Sequence, residues 1–238
     1  KNLGGSFRMK QQTLTVQTKK RKEIIKSISY DQNEIMQWII DLYCPNGFEV
    51  DPTYSVGNFY KKIPQPKYKY DINPRANGVV ESNCTNLSLG NDSVKSIMFD
   101  PPFIVGLPAK DSKSTSIIGN RFSRFKDMKE LFEFYHRSLL EFHRILKVGG
   151  WLIFKCQDSI SSGRQYLSHV EIINYAVSIG FYPKDMFILV AKNRIIGKHH
   201  HKQQHARKFH SYFLVFKKER NPVNYFRKGH EKGTGGKE

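Results

Sequence analysis

Asp100-Pro101-Pro102-Phe103 is the segment of this sequence best equipped to do chemistry. A carboxylate and a proline carbonyl place two hydrogen-bond acceptors side by side, and neither of them donates. The two prolines fix the backbone, so the acceptors stay aimed. Phe103 adds a flat apolar face on which an unstacked base would lie. The partner that fits this set is an exocyclic amino group such as that of adenine, with its two N–H bonds taken by Asp100 and the Pro101 carbonyl. Such a nitrogen is a poor nucleophile because its lone pair is delocalised into the ring. Acceptors on both N–H bonds draw it toward tetrahedral geometry. Considered alone, a tetrapeptide of this kind is a turn; here the strand-like run of residues 94–99 leads straight into it.

These residues need a rigid support, and the flanking pattern provides one. Residues 31–43 carry Ile35, Trp38, Ile39 and Leu42 at helical spacing, with Asp31 or Asn33 as N-cap and Pro45-Asn46-Gly47 as the stop. Residues 127–147 form a longer helix, with Met128, Leu131, Phe132, Tyr135, Leu139, Phe142 and Leu146 along one stripe and Gly149-Gly150 as its C-cap. Residues 167–179 form a third helix, ended by Gly180. Strand-like runs at 48–51, 68–71, 79–81, 94–99 and 151–154 lie around and between these helices. Runs at 186–190 and 211–216 follow without a helix between them, which predicts an antiparallel edge hairpin. The alternation predicts an α/β domain with a mostly parallel sheet covered on both faces.

Ligands of such sheets bind beyond the carboxyl ends of the strands. The successive exits are Asp51-Pro52-Thr53-Tyr54-Ser55-Val56-Gly57, Asp71-Ile72-Asn73-Pro74, Ser82-Asn83-Cys84 and the Asp100 segment itself. All four are polar and correctly ordered.

The Asp100-Pro-Pro-Phe segment in this setting resembles the S-adenosylmethionine-dependent amino-methyltransferases with a (D/N/S)-P-P-aromatic motif, over roughly residues 30–218. The resemblance implies a single Rossmann-like class I methyltransferase domain, with a seven-stranded mostly parallel sheet whose last strand is antiparallel. It implies S-adenosyl-L-methionine as cofactor and Asp100, Pro101, Pro102 and Phe103 as catalytic residues. The (D/N)-P-P-aromatic form is typical of N6-adenine enzymes, so the expected reaction is methylation of adenine N6 in DNA. RNA adenine or guanine amino groups are the alternative substrates. Asp51, Pro52, Thr53, Ser55 and Gly57 resemble the family's D-P-x-x-G-x-G cofactor segment, with Ser55 in place of the first loop glycine. Asp71 resembles the acidic residue that accepts hydrogen bonds from the ribose diol. Asn83, beside Cys84, takes the place of the acid next to the cofactor's adenine. For Asp71 and Asn83 ordinary turn formation is the competing reading.

Basic residues gather in two loops. Residues 104–126 end with Arg121, Arg124 and Lys126 interleaved with aromatic residues, a pattern suited to an unpaired strand. Residues 191–210 hold six Lys/Arg, five His and no acid, so Arg194, Lys198, Lys202, Arg207 and Lys208 are expected to contact phosphates. No carboxylate or Cys accompanies those histidines, and no metal site is expected. Lys155 leaves the fifth strand either to meet a phosphate or to cap the sheet. Cys156 reads as core filler.

Across 238 residues, 39 Lys/Arg against 21 Asp/Glu leave a formal charge of +18. That excess points to a polyanionic partner, nucleic acid before an acidic membrane, and leaves a purely small-molecule methyltransferase without use for its charge. No apolar run reaches the ~18 residues of a membrane span. No signal-peptide core is present, so a cytoplasmic protein without membrane partners is expected. Cys44, Cys84 and Cys156 are far apart and form no CxxC pair, which argues against a disulfide framework and a zinc knuckle. Residues 1–26 and 219–238 read as basic flexible arms around a methyltransferase domain at 27–218. With no separate recognition domain in view, target choice falls to the loops, the arms or a partner subunit. A catalytically dead nucleic-acid-binding subunit is the rival reading, and Ser55 is its support.

Overall fold

Phe99 closes the central strand, fully buried, with Phe142 and Phe154 edge-on to its ring at centroid distances of 4.7 and 4.9 Å. Burying three such rings contributes about 1.5–3 kcal/mol each, which pins the strand end from which Asp100 emerges. The computed structural model describes residues 24–106, 125–192 and 204–221.

The chain runs β1 (Ile28–Ser29), α1 (Gln32–Tyr43), β2 (Val50–Asp51), a single 3₁₀ turn (Asn58–Tyr60), β3 (Tyr68–Asp71), β4 (Val80–Glu81) and β5 (Val94–Phe99). It continues through α2 (Met128–Ile145), β6 (Leu146–Cys156), β7 (Ser159–Ser161), β8 (Arg164–Tyr166), α3 (Ser168–Ser178), β9 (Phe181–Val190) and β10 (His210–Lys218). The main sheet has the order β1-β9-β10-β6-β5-β2-β3-β4, and β7 pairs with β8 as a separate hairpin. Every neighbouring pair is parallel except those made by β10, which is antiparallel to both β6 and β9. The architecture is a Rossmann-like class I methyltransferase fold.

The sheet has eight strands where seven are expected. The additional one is β1, whose Ile28 and Ser29 lie parallel to Ile188 and Leu189 of β9. A two-residue strand carries no alternation from which to read it. The late pair is antiparallel as expected but is not an edge hairpin: β10 is inserted between β6 and β9, and β1 covers the outer side of β9.

Two apolar cores flank the sheet. One joins α2 and α3 to one face through Leu131, Leu139, Phe142, Ile172 and Leu152. The other joins α1 to the opposite face through Ile35, Met36, Ile39, Met98, Ile153 and Phe213. Asp31 caps α1 by accepting the Asn33 N–H at 2.8 Å. The inward stripe of α1 is rotated from the expected one: Ile35, Met36, Ile39 and Ile40 are buried, while Leu42 is 47% exposed. The end of α2 also differs. It stops at Ile145, and Gly149 (φ +84°) lies inside β6, where the pairing with β5 shifts register between Val94 and Ser96. The last helical carbonyls are satisfied instead from elsewhere in the fold: Arg144 O and Ile145 O accept the N–H groups of Asp92 and Ser93 at 3.0 and 2.8 Å, and the Lys218 ammonium donates to His143 O at 2.7 Å and to Leu146 O just beyond the helix at 2.8 Å. A cation there also complements the helix dipole.

Among the described residues, no helix is long and apolar enough to cross a membrane. Most of the two basic arms lies outside the described residues.

Candidate functional site

The strand exits at the carboxyl edge are stitched to one another. Asp51, at the end of β2, is 1% exposed and turns inward. Its Oδ1 accepts the Thr53 N–H at 2.8 Å and the Thr53 hydroxyl at 3.3 Å, and its Oδ2 accepts the Tyr60 hydroxyl at 2.6 Å. Thr53 Oγ1 then accepts the backbone N–H of Asp100 at 3.0 Å. The first exit therefore braces the last, through one side chain. Asp71 Oδ2 accepts the Ser55 N–H and Oδ1 the Asn73 N–H, each at 2.8 Å, while Asp71 O accepts the Ser82 N–H at 3.0 Å.

Burial pushes the Asp51 carboxyl up to about 7. Tyr60 and the Thr53 amide pull it back, and the nearby Asp100 charge pushes it further up. Asp51 is thus a folding element of the loop, holding the backbone from beneath.

Ser55 adopts φ +53°, the left-handed conformation that a loop glycine would adopt freely. The substitution noted in the sequence has kept the backbone path, and the hydrogen bond from its amide to Asp71 helps hold it. Gly57 (φ +72°) is needed for a local reason as well: a Cβ there would lie 2.6 Å from Tyr54 Cζ. Tyr54 stacks on Tyr60 at 5.4 Å and bonds to Gln65. Buried Pro52 completes this turn.

Asn83 is exposed, and its Oδ1 accepts the Thr85 N–H at 3.0 Å and the Thr85 hydroxyl at 2.9 Å. Both Asp71 and Asn83 therefore form turns; each Asp71 oxygen keeps lone-pair capacity beyond its one bond, whereas both lone pairs of Asn83 Oδ1 are taken by Thr85. Cys84 is buried in the core beside Ser138 Oγ at 3.6 Å, and burial pushes its thiol up to about 11. Its side chain serves packing.

The Asp100 segment is held at three points. Asp100 N is fixed by Thr53, Pro102 O accepts the Tyr135 hydroxyl at 2.8 Å, and Phe103 O accepts the Ser159 hydroxyl at 3.3 Å. These bonds leave the Asp100 carboxylate and the Pro101 carbonyl, the two acceptors singled out in the sequence, aside from the bracing. Asp100 Oδ1 is shielded from solvent and has no hydrogen-bond donor among the described residues. Lys155 neither caps the sheet nor stands at a phosphate-facing rim: its Nζ lies 3.3 Å from Asp100 Oδ1.

Beside Phe103 lies a cavity of about 330 Å³ lined by Phe103, Ile104, Val105, Gln157, Asp158, Ser159, Ile160, Arg207 and Lys208. It has an aromatic wall, polar groups from the end of β6 and two cations at its margin. Of the five basic residues expected to meet phosphates, Arg207 and Lys208 line this cavity. Lys126 is exposed at the start of α2. Arg121, Arg124, Arg194, Lys198 and Lys202 lie outside the described residues. Among the described residues no group of His, Cys, Asp or Glu is arranged to hold a metal ion.

Sequence reasoning missed part of this wall. Asp158 is buried, with Oδ1 2.7 Å from His169 Nδ1 and Oδ2 accepting the Tyr212 hydroxyl at 3.3 Å; that hydroxyl lies 2.8 Å from His210 Nε2. His210 and Tyr212 are two apart on β10 and so share a face, a period-2 signal present in the sequence. The β7–β8 hairpin, which carries Ser159, turns at Ser162 (φ +50°) and Gly163 (φ +72°). A Ser-Gly pair between short polar strands is its signature.

Residues 94–235, more than half of the chain, match the family model described as DNA methylase. Several solved structures are similar. TTHA0409 of Thermus thermophilus, described as a candidate DNA modification methylase and solved in complex with S-adenosyl-L-methionine, is 17% identical, with 58% of this chain and 54% of that chain covered and a TM-score of 0.35. PvuII DNA methyltransferase, described as cytosine-N4-specific, is 11% identical over 55% of this chain and 44% of its own, with a TM-score of 0.41. TrmN from Thermus thermophilus is 13% identical over 78% of this chain and 48% of its own, with a TM-score of 0.43. The chain spans about half the length of each of these three. No curated protein matches it.

Proposed function

The chain belongs to the DNA methylase family, and from that premise we propose that it transfers a methyl group from S-adenosyl-L-methionine to the N6 amino group of adenine in DNA. The observation that carries the reading is the bracing of the Asp100 segment. Three hydrogen bonds fix its backbone, while the carboxylate and the Pro101 carbonyl stay out of that bracing. An amino group with two N–H bonds needs two rigid acceptors, and this loop offers them preorganised.

The target base enters the cavity beside Phe103, extruded from the duplex or already unpaired. Phe103 stacks on it, and Asp100 with the Pro101 carbonyl takes its amino hydrogens. Arg207 and Lys208 at the margin neutralise the phosphates of the entering strand. The chemistry of the neighbouring rim fits the cofactor. Asp71 keeps acceptor capacity for a ribose diol, and the Ser55–Gly57 loop keeps the left-handed path open to glycine despite its serine; Asn83 would have to release a Thr85 bond to accept from an adenine amino group. When bound, S-adenosyl-L-methionine supplies a methyl group already activated on a sulfonium sulfur. The protein has only to position the acceptor nitrogen and accept its hydrogen bonds. The retained conformation at Ser55 supports an enzyme over a dead subunit.

Transfer of labelled methyl from S-adenosyl-L-methionine to matched DNA and RNA pools, followed by digestion and mass identification of the modified nucleosides, tests the reading. N6-methyladenine in DNA is expected. Label confined to RNA or to cytosine overturns the substrate assignment, and no label in any pool overturns the enzymatic reading.

A further inference from the structure

We propose that Lys155 is a positioning residue for Asp100: its ammonium keeps the carboxylate ionised and aimed by facing the buried Oδ1, while leaving the second oxygen to accept a hydrogen bond from the amino group to be methylated. The inference rests on the methyltransferase reading above.

Lys155 lies next to the last residue of β6, in parallel register with β5, so its backbone is as fixed as that of the strand leading into Asp100. Its ammonium is constrained on several sides. It donates to Gln32 Oε1 at 3.2 Å and lies 4.8 Å from the Phe59 ring centroid and 5.6 Å from that of Phe213. The side chain is 13% exposed. A lysine reaching for solvent phosphate would not be buried between two rings with its hydrogen bond directed to the first turn of α1. Instead it meets Asp100 Oδ1 at 3.3 Å as a charge, without the angle of a hydrogen bond. The carboxylate gains a counter-ion on its buried oxygen, and the second oxygen is left for a ligand.

The ion pair matters because of what else surrounds Asp100. The titratable groups that face it are Asp51 at the end of β2, Tyr60 on the 3₁₀ turn, Tyr135 on α2 and Lys155 on β6. The first is an acid, the next two are phenols, and burial pushes all three upward. Lys155 is the cation of the set. Burial raises the Asp100 carboxyl above its ordinary value, and the Lys155 charge offsets part of that rise.

The reaction needs a carboxylate at two moments. Before transfer it accepts an amino N–H, which a protonated acid would do less well. During transfer the nitrogen bonds to the methyl carbon as the carbon–sulfur bond breaks and its electron pair goes to sulfur. The nitrogen then carries one proton too many, which passes to Asp100 and on to water.

The direct test is the titration of Asp100, followed by ¹³C-carboxyl NMR with the signal assigned from its loss in Asp100→Asn. It is read in the wild type, Lys155→Met and Lys155→Arg, beside kcat and KM as functions of pH. Asp100 ionised at neutral pH in the wild type is expected. In Lys155→Met it should titrate at higher pH, with kcat at neutral pH at least tenfold lower, the acidic limb of the kcat profile moved the same way, and KM for DNA little changed. Lys155→Arg should recover both. A protonated Asp100 in the wild type at neutral pH overturns the proposal without any variant. So does Lys155→Met that loses only melting temperature, or that raises only KM for DNA. A displaced Asp100 titration in a protein that methylates nothing sustains the ion pair and sinks the enzymatic reading instead.

Discussion

The backbone N–H of Asp100 donates to Thr53 Oγ1 at 3.0 Å, across 47 residues of sequence. Thr53 also bonds to Asp51 through its amide and its hydroxyl, so the loop after β2 and the loop after β5 share one hydrogen-bonded support. In the proposed reaction, the groups that hold the methyl donor and those that hold the acceptor are therefore placed by the same side chain. A displacement of either loop is felt by the other.

Asp100→Ala should lower methyl transfer by about 100-fold or more, the scale of removing a preorganised transition-state partner. Cofactor binding, read by calorimetry or thermal shift, should persist. Transfer at an undiminished rate would remove Asp100 from the mechanism.

The two loop positions with positive φ should respond in opposite ways. Gly57→Ala places a Cβ against the Tyr54 ring in a left-handed backbone, and should cost about 1–3 kcal/mol in chemical denaturation. Ser55→Gly relieves a similar strain but adds unfolded-state freedom, so stability should stay within about 1 kcal/mol of the wild type. A strongly destabilised Ser55→Gly would mean that the serine has a role beyond tolerating the conformation.

Asp51 should make stability fall as pH rises through the acid-to-neutral range. Its carboxyl stands at about 7 when folded, against ~3.9 in an unfolded chain. Below ~4 it is protonated in both states. Between the two values the unfolded chain releases a proton that the folded chain retains, which favours unfolding progressively until the folded group also ionises. At about 1.4 kcal/mol per pH unit the effect is a few kcal/mol at most. Melting temperatures of the wild type and Asp51→Asn should diverge between about pH 4 and 7, with the wild type losing more, and run parallel above that. Curves parallel across that window as well would show that Asp51 is already ionised in the fold.

Arg207→Ala with Lys208→Ala should weaken DNA binding and flatten its dependence on salt. The slope of log K against log salt should fall by about 1.4–1.8 if both side chains neutralise phosphates. An unchanged slope would place the strand's path away from the cavity that these residues line.

The Asp100 segment, its place at a strand exit and its rigidity were legible in the sequence because strand, prolines and aromatic are contiguous. So were the β3 and β5 strands and the order of the polar exits, since each depends on local pattern and chain order. The N-cap of α1 and the apolar stripe of α2 are local for the same reason. Tertiary structure decided where those exits spend their hydrogen bonds. Asp51 became a buried brace through Thr53 and Tyr60, and Cys84 became core. The end of α2 is held by Asp92 and Ser93 from before the helix and by Lys218 from far beyond it, rather than by the glycines nearby. The pairing of Lys155 with Asp100 had no trace in the sequence, because adjacent parallel strands bring together residues whose separation along the chain is arbitrary. Spacing along the chain fixes what a helix or a turn presents; which charges meet across a sheet depends on strand order and register, and these belong to the whole fold.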